Sequence, residues 1–272
     1  MKIENGYALV NGINLYYEIA GKGQPVILTH GMGLDCRMWN DQFPELAKRH
    51  HVIRYDLRGF GKSSLPSSES YSHHLDLFAL LNHLDISNAS LIGLSMGGRI
   101  ATDFAITYPQ MVSKLVLVDA VIHGYLFKTF SLADVVTTAK EAGAEAAKRV
   151  YLKNDLFRTA IEKPAVAAVL NQIVSSYSGW HWLNENPWTP LSPPSIQQLD
   201  KIKAGTLVLV GEEDLPDFQS MADILKENIP HSQKLIIPNA GHMCNMENPG
   251  AFNNIVLSFL SSSNQINSKK EG

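Results

Sequence analysis

The chain has 272 residues, of which 45% are hydrophobic and 18% charged, a composition that supports a sizeable folded core and excludes a disordered or fibrous protein. A net charge of −3 leaves no basic footprint for nucleic acid or an anionic membrane, since phosphate binding draws most of its affinity from clustered cations. Two cysteines far apart, Cys36 and Cys244, exclude a disulfide framework and a thiolate zinc cage, and read as reduced thiols in or near the core.

Tyr7–Val10 and Ile13–Ile19 flank Asn11-Gly12, a type I′ turn signal, so the chain is expected to open with an antiparallel hairpin. Short β-rich runs follow at Pro25–His30, His51–Asp56, Ala89–Leu94 and Lys114–Ala120, separated by segments with helical spacing at about Met38–Arg49, Tyr71–Leu84 and Met96–Tyr108. That alternation predicts a mostly parallel sheet covered by helices on both faces. From Val121 to Lys203 the rhythm changes: no short β run occurs, and the helix-forming stretches Leu132–Lys153 and Ala165–Ser175 lead into the aromatic, proline-rich run Trp180–Pro194. Strand character returns at Thr206–Val210 and Gln233–Ile237, with helices near Phe218–Asn228 and Pro249–Leu260. The organisation expected is one core in two parts, residues 1–120 and 204–261, interrupted by a helical insertion over 121–203 and followed by a flexible tail over 262–272.

Chemistry concentrates around Gly93-Leu94-Ser95-Met96-Gly97, placed directly after one strand and before one helix. A sharp strand-to-helix elbow lifts the central serine clear of the sheet, its flanking glycines remove Cβ atoms that would collide, and the helix N-terminus favours developing negative charge. A serine hydroxyl needs a base and a group to orient that base. Among ten histidines, His242 follows the Gln233–Ile237 strand in the same sense as Ser95 follows its own, so both open on one edge of the sheet. Asp214, four residues beyond Thr206–Val210, is favoured as the orienting acid, with Asp119 at the end of the preceding strand a second choice. Glu212 and Glu213 read as solvated loop charges. The amides of Met96 and of Met32, in the turn His30-Gly31-Met32-Gly33, are placed to hold an oxyanion, while His30 reads as a structural hydrogen-bonder.

These pieces, His30-Gly31, Asp56-Leu57-Arg58-Gly59-Phe60-Gly61-Lys62-Ser63, Gly93–Gly98, Gly211–Asp214, and Gly241-His242 with Glu247-Asn248-Pro249, together resemble the α/β-hydrolase superfamily from Gly12 to Leu260. The resemblance implies an eight-stranded, mostly parallel α/β sheet with flanking helices, a helical cap inserted between the sixth and seventh strands, a Ser95, Asp214, His242 triad, and an oxyanion hole of the Met32 and Met96 amides. Serine at the elbow speaks against the branches that attack with carboxylate. The Asp56–Ser63 run reads as a structural turn.

In the cap, Tyr125, Phe127, Phe130, Tyr177, Trp180, Trp182 and Trp188 are candidates to line an apolar substrate pocket, whereas His123 and His181 read as cap-surface residues. The reading is a cofactor-free, metal-free serine hydrolase for a small to medium, mostly apolar carboxylic ester, lactone or thioester. The alternatives are C–C bond hydrolysis or cofactor-free perhydrolysis with the same triad, and a small-molecule receptor or regulator on the same fold. Expected partners are a small-molecule substrate, with neither nucleic acid nor membrane, in a monomer or homodimer. The opening residues lack a secretory pattern and no apolar stretch approaches the ~18 residues of a membrane span, so a cytoplasmic location is expected.

Overall fold

The computed structural model describes residues 2–262. Strands β1 (Ile3–Val10) and β2 (Ile13–Ala20) form the opening hairpin, and both turn residues, Asn11 at φ 47° and Gly12 at φ 76°, adopt the left-handed backbone that a type I′ turn demands. The remaining strands are β3 (Pro25–Thr29), β4 (His51–Tyr55), β5 (Ala89–Leu94), β6 (Val112–Val118), β7 (Gly205–Gly211) and β8 (Ser232–Ile237). They make one eight-stranded sheet in the order β1-β2-β4-β3-β5-β6-β7-β8, parallel except where β2 meets β1 and β4. All six residues of β5 are buried, as expected of a central strand covered on both faces, while exposed residues recur along the edge strands β1 and β8.

Around the sheet lie α1 (Phe43–Ala47), α2 (His73–His83) and α3 (Met96–Thr107); after the sheet's interruption come α8 (Pro216–Asn228), α9 (Cys244–Glu247) and α10 (Pro249–Ser261). Helix α3 packs on α2, β5 and β6, while α1 packs on β4 and α10. The segment between β6 and β7 contains only helices: α4 (Ala133–Leu152), α5 (Arg158–Ile161), α6 (Pro164–Ser176) and α7 (Trp180–Leu183), with short 3-10 turns. It is stitched to the core where Tyr71 bridges Trp188: the Tyr71 N–H donates to the Pro187 carbonyl at 3.2 Å, and the Thr189 N–H to the Tyr71 carbonyl at 2.7 Å.

Two helices differ from the sequence reading. The single helix expected over Met38–Arg49 is a 3-10 turn at Cys36–Trp39 followed by the short α1, because Pro44 has no N–H to donate and is tolerated only in a first turn. The run Leu132–Lys153 is helical but breaks at Gly143, whose φ of 82° and ψ of 172° are far from helical. Both cysteines are buried thiols. The tail expected from 262 onward falls, beyond Ser262, outside the described residues. Among the described residues no helix is long and apolar enough to cross a membrane.

Candidate active site

Ser95 sits at φ 55°, ψ −114°, a left-handed conformation that a β-substituted residue adopts only under constraint, between the last residue of β5 and the first of α3. The constraint comes from both sides: the Ser95 N–H donates to the Val118 carbonyl at 2.9 Å, and its own carbonyl accepts from Arg99 and Val121, each at 3.1 Å. Glycine is required in the elbow by close approach, since a Cβ on Gly97 would sit 2.2 Å from the Thr29 carbonyl oxygen and one on Gly93 would sit 2.3 Å from that of Gly97.

His242 lies in the loop after β8, buried, with its ring 4.2 Å from that of Phe218. Its Nδ1 hydrogen-bonds Asp214 Oδ2 at 2.9 Å, and the other Asp214 oxygen accepts the Leu215 N–H at 2.7 Å. The bond to Asp214 fixes the tautomer, with the proton on Nδ1 and a lone pair on Nε2. Nε2 is buried and has no hydrogen-bond partner among the described residues, and the residue borders the same cavity as Ser95. Ser95 and Nε2 are not hydrogen-bonded to one another here; such contacts are commonly loose before substrate arrives and tighten with it.

Asp119, the second choice for the acid, does not take the ring. Its Oδ1 accepts the Gly211 N–H at 2.8 Å and Oδ2 has no partner. Complete burial, and then the charge of Asp214 beside it, push its pKa well above the usual carboxylate range. Glu212 accepts the Asn239 N–H and Glu213 meets Arg158 at the surface. His30 is buried and neutral, its Nδ1 donating to the Gly31 carbonyl at 2.8 Å and its Nε2 accepting the Leu57 N–H at 2.9 Å; burial lowers its pKa. In the Asp56–Ser63 turn, Asp56 accepts the amides of Cys36 and Lys62, and Arg58 grips both oxygens of Asp76.

Met32 and Met96 both border the cavity. Neither of their N–H groups takes part in a loop, cap or side-chain hydrogen bond among the described residues, and the first amides of a helix have no partner within it. The Met32 peptide is held from the insertion, where the Tyr151 hydroxyl of α4 donates to the Met32 carbonyl at 2.7 Å. Among the described residues, two groups of side chains bring metal-type donor atoms within 4.8 Å of one another: Asp119, Asp214 and His242, and, elsewhere, Asp35, Cys36 and Asp56. In the second group Arg37 already holds both Asp35 oxygens, and two amides hold Asp56.

The cavity over Ser95 measures about 170 Å³. Of the cap aromatics, Phe127, Phe130 and Trp188 line it; Tyr125, Tyr177, Trp180 and Trp182 do not. Tyr125 instead gives its hydroxyl to Asp217, Trp182 is buried against Tyr151 and Tyr177, and Trp180 lies edge-on to His181. His181 is half-buried rather than free on the cap surface: it stacks on Phe60 at 4.3 Å, and burial lowers its pKa to about 4. Residues that the sequence reading missed complete the wall, among them Arg99, Tyr151, Leu156 and Phe157.

The profile of the alpha/beta hydrolase fold family matches residues 24–249. The chain belongs to that family. It is 29% identical over 271 residues to a 2-hydroxy-6-oxo-6-(2'-aminophenyl)hexa-2,4-dienoic acid hydrolase of Metapseudomonas resinovorans, covering 92% of this chain and 88% of the relative. Its structure is similar to that of an enol-lactonase from Burkholderia xenovorans LB400, with a TM-score of 0.83, 25% identity, and 94% and 100% of the two chains covered. It is also similar to a thermophilic esterase from Thermogutta terrifontis, with a TM-score of 0.79, 28% identity, and 94% and 98% covered.

Proposed function

We propose that this hydrolase cleaves a small, mostly apolar carboxylic ester, lactone or thioester through an acyl-serine intermediate. The observation that carries the reading is the histidine whose Nδ1 is held by Asp214 while its Nε2 is left without a partner, the residue lining one cavity together with Ser95. Nε2 takes the hydroxyl proton as Ser95 Oγ bonds to the substrate carbonyl carbon, and the negative charge moves onto the carbonyl oxygen between the Met32 and Met96 amides. The tetrahedral adduct collapses, the bond to the leaving oxygen or sulfur breaks, and that atom receives the proton from Nε2. Water then repeats the sequence on the acyl-serine, releasing the acid and restoring the hydroxyl. Asp214 holds the ring in its working tautomer and stabilises the imidazolium that forms.

A cavity of about 170 Å³ is close to the ~150 Å³ that accommodates a benzene ring, which suits an acyl group of a few carbons. The lactonase and esterase names of two structural relatives support ester-type substrates. A second reading, C–C bond hydrolysis by the same residues, is supported by the name of the Metapseudomonas relative. Turnover of p-nitrophenyl acetate or butyrate should be abolished in Ser95→Ala protein that still folds; turnover equal to that of the parent overturns the nucleophile. A 2-hydroxy-6-oxo-dienoate cleaved faster than any ester in a parallel panel would favour the second reading.

A further inference from the structure

Apart from the catalytic pair, the one permanently charged side chain among the described residues that borders this mostly apolar cavity is Arg99. Arg99 lies in the first turn of α3, its N–H donating to the carbonyl of the N-cap Ser95 at 3.1 Å, and it borders the cavity with Ser95 and His242. Its side chain is only 17% exposed, and burial lowers its pKa from the usual arginine value.

A buried guanidinium normally closes on partners, and two others in this chain do so. Arg58 donates to both oxygens of Asp76 at 2.9 and 2.8 Å, and Arg54 donates to Glu18 and to Asn40. Arg99 is the exception. Its nearest carboxylate oxygen, Asp103 Oδ2, is 3.8 Å from Nε, too far for a hydrogen bond, and Nε is buried without a partner. Asp103 in turn leaves its buried Oδ1 without a partner, and burial pushes its pKa up to about 6, a sign that the pair does not neutralise itself well. The one firm contact is a face: the guanidinium carbon lies 4.0 Å from the centre of the Trp188 ring, which is itself anchored by the bridge to Tyr71.

That arrangement seats the guanidinium over the indole and leaves its hydrogen-bond donors unused among the described residues. The buried Nε–H is left unpaired at a cost, the terminal nitrogens donate to no group among the described residues, and a planar carboxylate is the small ligand whose two oxygens match the guanidinium fork. We propose that the cavity is built for a substrate bearing a carboxylate a few carbons from the scissile carbonyl, which Arg99 holds while Ser95 attacks. The inference rests on the serine hydrolase reading of the same site and adds to it the substrate's charge. Trp188 serves to orient the guanidinium, and the apolar wall contacts the carbons between the two ends of the substrate.

The test compares monoethyl succinate, glutarate and adipate with neutral ethyl esters of matched length, following acid release, and in parallel measures calorimetric binding of the same monoesters to Ser95→Ala protein. At least one monoester should exceed its neutral counterpart in kcat/KM by about tenfold or more, the factor expected for charge-assisted hydrogen bonds. Arg99→Met should bring that ratio close to one, and Arg99→Lys should restore part of it. Esters hydrolysed with a ratio near one in both proteins would overturn the carboxylate site and leave the hydrolase reading standing. Monoesters that bind, lose about tenfold in affinity with Arg99→Met on the Ser95→Ala background, but are never hydrolysed, would do the reverse. Absence of both binding and hydrolysis of every monoester overturns the proposal. If Arg99→Met does not fold, Asp103→Asn decides: removing the competing carboxylate should tighten monoester binding several-fold, and equal or weaker binding refutes it.

Discussion

Replacing Tyr151 by Phe removes one hydroxyl and little else, because the ring stays packed against Phe157 and Trp182 with centroids at 5.0 and 5.1 Å. What is lost is the 2.7 Å hydrogen bond from a fully enclosed phenol to the Met32 carbonyl. The stability cost should be about 1–2 kcal/mol, a net hydrogen bond plus part of the penalty for a carbonyl left without a donor, which lowers the melting temperature by roughly 2–6 °C for a chain of this size. The effect on rate should be larger than the effect on stability. Met32 supplies one of the two proposed oxyanion donors, and losing such a donor outright costs about 10²–10³ in kcat. A peptide that is loosened but still present should forfeit part of that, on the order of 10- to 50-fold in kcat. KM should move little, since the ring that lines the cavity remains. Steady-state kinetics on p-nitrophenyl butyrate beside thermal unfolding separate the two roles. A melting temperature lowered as expected with kcat unchanged would show that Tyr151 packs the insertion without positioning the Met32 amide, and would refute the reasoning.

Asp217 at the start of α8 accepts hydrogen bonds from the amides of Lys128, Thr129 and Phe130 and the hydroxyls of Thr129 and Tyr125; burial alone would raise its pKa, but these donors outweigh it and hold the carboxyl well below the usual range. Asp217→Asn should cost roughly 2–4 kcal/mol in thermal or urea unfolding and raise KM, because Phe127 and Phe130 on the clamped loop line the cavity; in the parent this stabilisation is present above about pH 4 and is lost as pH falls further. The half-buried His181 ring, depressed to about 4 against about 6.5 unfolded, favours the neutral form, so the unfolded chain binds the extra proton between those values and stability should fall as pH drops from 6.5 to 4. His181→Gln should flatten the urea-unfolding profile across that window by roughly 2–3 kcal/mol, and an unaltered slope would contradict the assignment. Gly97→Ala, whose new methyl would meet the Thr29 carbonyl at 2.2 Å, should destabilise by about 3 kcal/mol or more in the same assay.

The sheet was largely legible because its signals are local and periodic. Asn11-Gly12 specifies its turn through two positive φ values, and β5 is mostly apolar and wholly buried because both of its faces are covered. The elbow was legible for the same reason, since Gly93 and Gly97 answer to close backbone approach within a few residues of Ser95. Helix α1 was misjudged because the apolar spacing over Met38–Arg49 was read without giving weight to Pro44. The cap aromatics resisted reading for a different cause. Whether Trp182 or Trp188 reaches the cavity depends on how the insertion docks, and that is decided by distant contacts such as Tyr71 with Trp188 and Asp217 with the 128–130 amides. Helical periodicity carries no information about such docking. Arg99 and Tyr151 went unnoticed because each looks ordinary on its own helix and acquires meaning only from what the fold sets opposite it, Trp188 for one and the Met32 carbonyl for the other.

The grip of Tyr151 on the Met32 carbonyl joins the roof of the pocket to a strand-end loop of the core. Remodelling the roof to admit a new substrate should therefore also disturb the loop proposed to supply an oxyanion donor, and on that reading selectivity and turnover are mechanically linked. Grafting a foreign roof onto this core should succeed best when the incoming helix carries a phenol at the same place, and a directed-evolution campaign that randomises α4 would do well to leave residue 151 alone.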